Sequence, residues 1–392
     1  MKSWKSIAGS ALLIALLAET APAQTPGPIR IGASISLTGT YAKPGSYQKE
    51  GYDICADEVN AKGGLLGRKV EFVLYDDQSM PATAVKLYEK LITEDKVDAV
   101  MGPYSSAVSE AVANVTEKYK KVMVAPLAAT TSIFKKGRKY IFMVVSPAEV
   151  YLDGLVDMAV KRGLKTAAVI NEDTLFPKAS AAGFVELAKK RGLTVVHQEA
   201  YPKGNTDFSA LLVKIKALNP DVIAAGTYFD DAVAITRQMK ELNVNPKMYG
   251  LTVGGDLPEF YDLLKQNAEY VYGATQWDDT LPYPGQKEFL AAYSKRFKRD
   301  PSYHAAAGYG GCLIYTEAVK RAGSLDSDKV RDELLKLKTK NAFGDYAVDQ
   351  DGFQTAHKMV MLQWQDGKRM IVWPEELGNA KPRFPTPPWN QR

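Results

Sequence analysis

What most restricts this chain is an alternation: a short apolar strand, a loop, an amphipathic helix, then another apolar strand, in two successive sets. The first opens with Ile29–Ile35 and predicts a helix over 45–61, where Tyr52, Cys55, Ala56 and Val59 recur at three- and four-residue spacing. Gly63-Gly64 stops that helix, because glycine supplies the positive φ a C-cap needs. Strands at 70–75, 99–101 and 121–125 follow, with a helix over 81–93. The second set predicts strands at 166–170, 194–199, 222–225 and 247–251, with helices over 179–191, 208–218 and 230–242 between them. Alternating strands and helices imply parallel sheets covered on both faces. The fold class expected is therefore α/β, with two doubly wound lobes and a ligand crevice beyond the C-terminal ends of the strands.

The C-terminal third is less regular. Helices are predicted over 287–299, 305–322 and 327–337, then a hairpin from 358–364 and 369–373 across Gln365-Asp366-Gly367. A tail with Pro382, Pro385, Pro387 and Pro388 should run extended and pack over a surface. Gly308, Gly310 and Gly311 lie inside an expected helix with no strand before them, so they mark close packing rather than a dinucleotide loop.

The N-terminus bears on where the chain works. Lys2 and Lys5 precede an apolar run at 7–18, which ends in Ala21-Pro22-Ala23 before Gln24. This reads as a secretory signal peptide over 1–23, too short to span a bilayer comfortably. Removing it leaves about 369 residues, enough for two lobes. The net charge of +5 is mild, which disfavours a charge-driven nucleic-acid or membrane role. The runs 135–139 and 295–299 read as solvated basic faces or turns.

Catalytic signatures are weak. There is no Gly-x-Ser-x-Gly elbow, Walker loop, His-Glu-x-x-His motif or partnered Ser-x-x-Lys. His197, His304 and His357 lie far apart and show no zinc spacing. The acid pairs Asp76-Asp77, Asp230-Asp231 and Asp278-Asp279 read as caps or turn formers. Cys55 and Cys312 sit in separate predicted helices. A domain of this size can rely on its core, so two small buried thiols are expected rather than a long-range disulfide. An exported hydrolase is disfavoured for want of a nucleophile and base.

A binding crevice is better supported. Three post-strand loops carry hydroxyls and backbone donors: 36–40, Tyr104-Ser105-Ser106 and 128–131. Ser106 opens a helix running to 119, and free N–H groups at a helix start suit a carboxylate. The bland alternative is that Ser105 or Ser106 merely caps that helix. The second set places aromatics in equivalent loops, Phe176 and Tyr228-Phe229.

The stretches IGASISLTGTYAKPGSYQKEGYDICADEVNAKGGLLGRKVEFVLYDDQSMPATAV, GPYSSAVSEAVANV, APLAATTSIFKKGRKYIF and AAGTYFDDAVAITRQMKELN occur in this order. Together they make the chain similar to the leucine/isoleucine/valine-binding proteins, type I periplasmic receptors of branched-chain amino acid ABC importers. The resemblance implies two α/β lobes joined by three crossing strands: lobe 1 over 28–146 and 276–356, lobe 2 over 147–275 and 357–392. It implies a monomeric periplasmic receptor without a cofactor, closing on a small carboxylate and delivering it to permease and ATPase subunits. By the family pattern Ser106 holds the ligand carboxylate, Ala128 and Thr130 assist with Leu127 as an extra residue in their loop, and Phe176 and Tyr228 close over the ligand.

One position departs from the family. Where its amino-acid binders carry a glutamate for the ligand ammonium, this chain has Thr252, and a hydroxyl cannot neutralise a buried cation. Asp256 or Asp230 could substitute only if loop geometry brought one inward. The expected ligand is therefore a carboxylate without an α-amine, aromatic or otherwise, with Tyr41, Tyr104, Phe176, Tyr228 and Trp277 available around it. The rivals are a branched-chain amino acid receptor and an amide or small-molecule sensor on the same fold.

Overall fold

The computed structural model describes Met1 and residues 27–392, so the expected signal peptide lies outside the described residues except for Met1. Five strands, β1 (Ile29–Ile35), β2 (Val70–Asp76), β3 (Ala99–Met101), β4 (Met123–Ala125) and β5 (Ile141–Met143), form a parallel sheet in the order β2-β1-β3-β4-β5. Every residue of β3, β4 and β5 is buried, which is why they read as unbroken apolar runs. The covering helices include α1 (Ala42–Ala61), α2 (Pro81–Thr93), α3 (Ser106–Lys118) and the short α4 (Thr131–Phe134). Helix α1 begins three residues before the expected 45, because Pro44 falls in its first turn, where no N–H is required.

The second lobe starts with α5 (Asp153–Lys161) and continues through β6 (Thr166–Glu172), α6 (Leu175–Arg191), β7 (Thr194–Tyr201), α7 (Ser209–Leu218) and β8 (Val222–Gly226). Then come α8 (Phe229–Glu241), β9 (Met248–Leu251), α9 (Pro258–Leu264) and β10 (Tyr272–Thr275). The chain returns to the first lobe for α10 (Gln286–Phe297), α11 (Tyr303–Ala322), α12 (Ser327–Lys336) and the small hairpin β11 (Thr339–Asn341) and β12 (Gly344–Tyr346). It crosses back for β13 (Val360–Gln365) and β14 (Lys368–Trp373), which extend the second sheet antiparallel, giving β14-β13-β10-β9-β8-β6-β7. The proline-rich tail lies along this lobe, with Trp389 Nε1 donating to Val244 O at 2.9 Å.

Both sheets reverse strand order at one place, β1/β3 in the first and β6/β8 in the second. Ligands bind outside the carboxyl ends of strands at such switch points. The three inter-lobe crossings are tied together. Ser146 N–H donates to Gln276 Oε1 at 3.0 Å, Ser146 Oγ donates to His357 O at 2.9 Å, and His357 Nε2 donates to Gln276 O at 2.9 Å.

Helices α1 and α11 pack with their backbones nearly touching. A Cβ on Gly51 would stand 2.1 Å from Ala305 O, and one on Gly308 would stand 2.6 Å from Gln48 O. Glycine is needed at both places. Four residues along each helix from these glycines, on the same faces, stand Cys55 and Cys312. Contrary to the expectation of two free thiols, they form a disulfide, with Cα atoms 6.2 Å apart. Across a separation of 257 residues, spacing carried no sign of it; the close helix approach decides it.

Candidate functional site

Between the lobes, at the two switch points, lies a narrow cleft. The first lobe contributes Tyr104, Ser105, Ser106, Leu127, Ala129 and Tyr303; the second contributes Tyr151, Phe176, Tyr228 and Val253. Tyr104 to Ser106 leave the end of β3. Ser105 adopts φ 72° and ψ 150°, a conformation costly for a residue with a side chain, and this turns the chain sharply into α3. Its hydroxyl accepts from Val108 N–H at 3.3 Å, so Ser105 caps its own helix.

Ser106 is spent differently. It is buried, and its Oγ accepts from the N–H groups of Ala129 and Thr130 at 3.1 and 3.2 Å, joining the β3–α3 and β4–α4 loops. Its hydroxyl proton remains available to an acceptor. Thr130 Oγ1 is buried with no hydrogen-bond partner. An unsatisfied buried hydroxyl costs about 1–3 kcal/mol, which a hydrogen bond to a bound carboxylate would recover. In this loop Leu127 and Ala129 border the cavity, while Ala128 is fully buried behind them. Of the two alanines in this loop, Ala129 rather than the expected Ala128 faces the cavity.

The second-lobe aromatics close the other side. Phe176 occupies the first turn of α6 and packs against Tyr151, with ring centroids 4.9 Å apart, and against Tyr228 at 5.7 Å. Tyr228 caps α8, and its N–H donates to Asp231 Oδ1 at 2.8 Å. Its own hydroxyl is buried without a partner. Burial pushes the Tyr104, Tyr151, Tyr228 and Tyr303 phenols well above their ordinary range, so each is a neutral donor and acceptor. Tyr41 stands outside the cavity lining but packs on Tyr228 at 4.4 Å, with its hydroxyl 3.5 Å from Glu172 Oε1 across the cleft.

Several expected residues have other duties. Thr252 Oγ1 accepts from Thr227 N–H at 2.8 Å and donates to Thr227 O at 3.1 Å, binding two loops rather than facing the cavity. Trp277 is a core residue near the crossing, its Nε1 donating to Ala342 O at 2.8 Å and its ring against Phe289. The hydroxyls of Ser36 and Thr38 in the 36–40 loop are taken by Asp77 and Asp76 at 2.7 Å each, so they tie this loop to the end of β2 instead of lining the site. Asp230 is exposed at the start of α8. Asp256 is brought inward: it is buried, Gly254 N–H donates to its Oδ1 at 3.1 Å, and its Oδ2 has no hydrogen-bond partner. Burial drives its carboxyl up to about 7.

Tyr151, Val253 and Tyr303 were not legible as site residues, nor was His304, which stands behind the lining. Tyr303 and His304 open a helix in the irregular C-terminal third, and Tyr151 follows a crossing, so no post-strand rule reaches them. Among the described residues no cluster of three metal-ligating side chains occurs, and no helix is long and apolar enough to cross a membrane.

A family model described as periplasmic binding protein matches residues 28–369. A Leu/Ile/Val-binding protein homolog 7 from Brucella melitensis biotype 1 is 28% identical, over 95% of this chain and 97% of its own length. A leucine binding protein LivK from Thermotoga maritima MSB8 superposes with a TM-score of 0.80 at 26% identity, covering 88% of this chain and 97% of its own. A solute binding protein of an ABC transporter from Rhodopseudomonas palustris BisB5, solved with 3,4-dihydroxy benzoic acid, has a TM-score of 0.77 at 24% identity, covering 87% and 95%. Two lobes with matching switch points, a cavity between them and a family match over nearly the whole described chain agree: this chain belongs to the periplasmic binding protein family, as a type I solute-binding protein of the leucine/isoleucine/valine-binding class that serves an ABC transporter and is not an enzyme.

Proposed function

We propose that this protein captures a small carboxylate without an α-amine, an aromatic acid above all, in the periplasm and delivers it to the permease and ATPase subunits of an importer. The observation that carries the reading is the pairing of a carboxylate-type end with an aromatic cage that lacks the family's glutamate. At one end stand the Ser106 hydroxyl, held in place by the Ala129 and Thr130 N–H groups, the unpaired Thr130 hydroxyl and the start of α3. Around the remaining space stand Tyr104, Tyr151, Phe176, Tyr228 and Tyr303. Thr252, at the glutamate position, is occupied with Thr227. A protein of this fold from R. palustris was solved with an aromatic acid.

The lobes, divided at about 146, 276 and 357, close by bending at the Ser146–Gln276–His357 knot, a hinge motion that presents the closed form to the permease. The Cys55–Cys312 disulfide is in keeping with an oxidising compartment. A second reading is a branched-chain amino acid receptor in which Asp256 replaces the glutamate; the unpaired Asp256 Oδ2 and the names of the relatives favour it. Titration calorimetry with leucine against a benzoate and hydroxycinnamate panel separates the two. Tight leucine binding with no response to the acids would overturn the first.

A further inference from the structure

Asp256 contributes to no lobe-internal structure that needs a carboxyl on both oxygens. Its Oδ1 takes Gly254 N–H, whereas Oδ2 is buried and unpartnered. Across the cleft, 3.9 Å from that oxygen, is Nδ1 of His304, a fully buried histidine of the other lobe. The second ring nitrogen of His304 is 3.3 Å from the Tyr104 hydroxyl, and its ring stacks on Tyr303 with centroids 3.9 Å apart. Tyr104 and Tyr303 both border the cavity. A polar cluster drawn from both lobes thus meets here, with one acceptor atom left over.

We propose that Asp256, backed by His304 and Tyr104, is a second polar subsite of the cleft, accepting a hydroxyl carried on the ring of the bound aromatic acid. This rests on the acid reading given above and adds the ligand's substitution to it. Two side chains, Tyr104 and His304, stand in series between the β3–α3 loop and Asp256. An α-ammonium lies only about 2.5 Å from its own carboxyl carbon, so it stays beside Ser106, whereas a ring hydroxyl extends away from it. The surroundings also suit a neutral donor. His304 is driven by burial down to about 3 and is uncharged, and Tyr104, Tyr151 and Tyr303 are neutral phenols. Arg369 donates to the Asp256 carbonyl at 3.1 Å rather than to its carboxyl, and Glu259 adds only a like charge nearby. A hydroxyl donor satisfies Oδ2 without bringing a second charge into a site where charge is expensive.

The test uses the unaltered protein first. Calorimetric Kd values are measured for benzoate, 3- and 4-hydroxybenzoate, and the corresponding methoxybenzoates, which keep the oxygen but cannot donate. One hydroxy isomer is expected to bind about tenfold to a hundredfold more tightly than benzoate, with its methoxy counterpart losing that gain. In Asp256→Ala, which removes the acceptor, the hydroxybenzoate-to-benzoate ratio should shrink to within about threefold; because the ratio is internal to each protein, any misfolded fraction cancels. If benzoate binds but no hydroxy isomer gains, or the gain persists in Asp256→Ala, the subsite is refuted while the acid reading stands. If no aromatic acid binds and leucine does, both fail together.

Discussion

Glu259→Gln should loosen the closed form without touching the ligand. Glu259 lies in the first turn of α9 on the second lobe, and its carboxylate faces three groups of the first lobe across the cleft mouth. Lys43 Nζ and Arg299 Nη1 are each 3.3 Å away, and the Tyr47 hydroxyl is 3.2 Å from either oxygen. The side chains of Lys43, Arg299 and Glu259 are 42%, 33% and 22% exposed, so each ion pair is worth about 0.5–1 kcal/mol after solvent screening. Glutamine keeps an acceptor for Tyr47 but loses both pairs, about 1–2 kcal/mol in all. Arg299 retains Glu50 at 2.8 and 2.9 Å within its own lobe, so no buried charge is stranded. Because only the closed form makes these contacts, the loss appears as an apparent affinity weaker by about fivefold to thirtyfold if the free protein is mostly open. Calorimetry and stopped-flow fluorescence at about 50 and 500 mM salt read both parts. The variant should release ligand faster at low salt and converge on the unaltered protein at high salt, where exposed pairs are screened. Equal affinity at low salt, or a deficit independent of salt, would refute the latch.

Ser106→Ala should weaken binding of the carboxylate ligand by about tenfold or more by calorimetry, since it removes a hydroxyl facing a charged acceptor. It should also lower the urea midpoint, because the Ala129 and Thr130 N–H groups lose their shared acceptor. Replacing both Cys55 and Cys312 with alanine should cost about 2–5 kcal/mol in urea unfolding while leaving ligand affinity near its starting value. An unchanged midpoint would mean that the α1–α11 packing holds without the crosslink. Asp256 sits at about 7 when folded against ~3.9 unfolded, so its stabilising contribution is present at pH 4 and lost as pH rises through 7. Asp256→Asn should therefore gain stability relative to the parent from pH 4 to 7, by up to a few kcal/mol in urea melts. His304, lowered to about 3, acts oppositely in both proteins: its contribution is intact above 6.5 and lost on acidification, so only the difference between the two is diagnostic.

The fold was legible because its signals are local. Strands buried on both faces must be apolar throughout, as in β3 and β8, and helices between them must show one apolar stripe. The alternation pointed to the loops after the strands, and among the residues named there Tyr104, Ser105, Ser106, Phe176 and Tyr228 border the cavity, which only the strand order places at the switch points. Residues that failed did so for want of a partner visible in sequence. Thr252 looks free until Thr227 is found beside it, and Trp277 looks like a cleft aromatic until Ala342 takes its N–H.

Tertiary structure alone decided what comes from afar. Tyr303 and His304 reach the cleft from a helix some 200 residues beyond Tyr104, Asp256 turns inward to meet His304, and Gly51 and Gly308 bring two cysteines into bonding range. Periodicity encodes which face of an element is buried, through the regular geometry of the backbone. It does not encode which distant element lies against that face, because packing is set by three-dimensional shape and side-chain volume, and these leave no periodic trace along the chain.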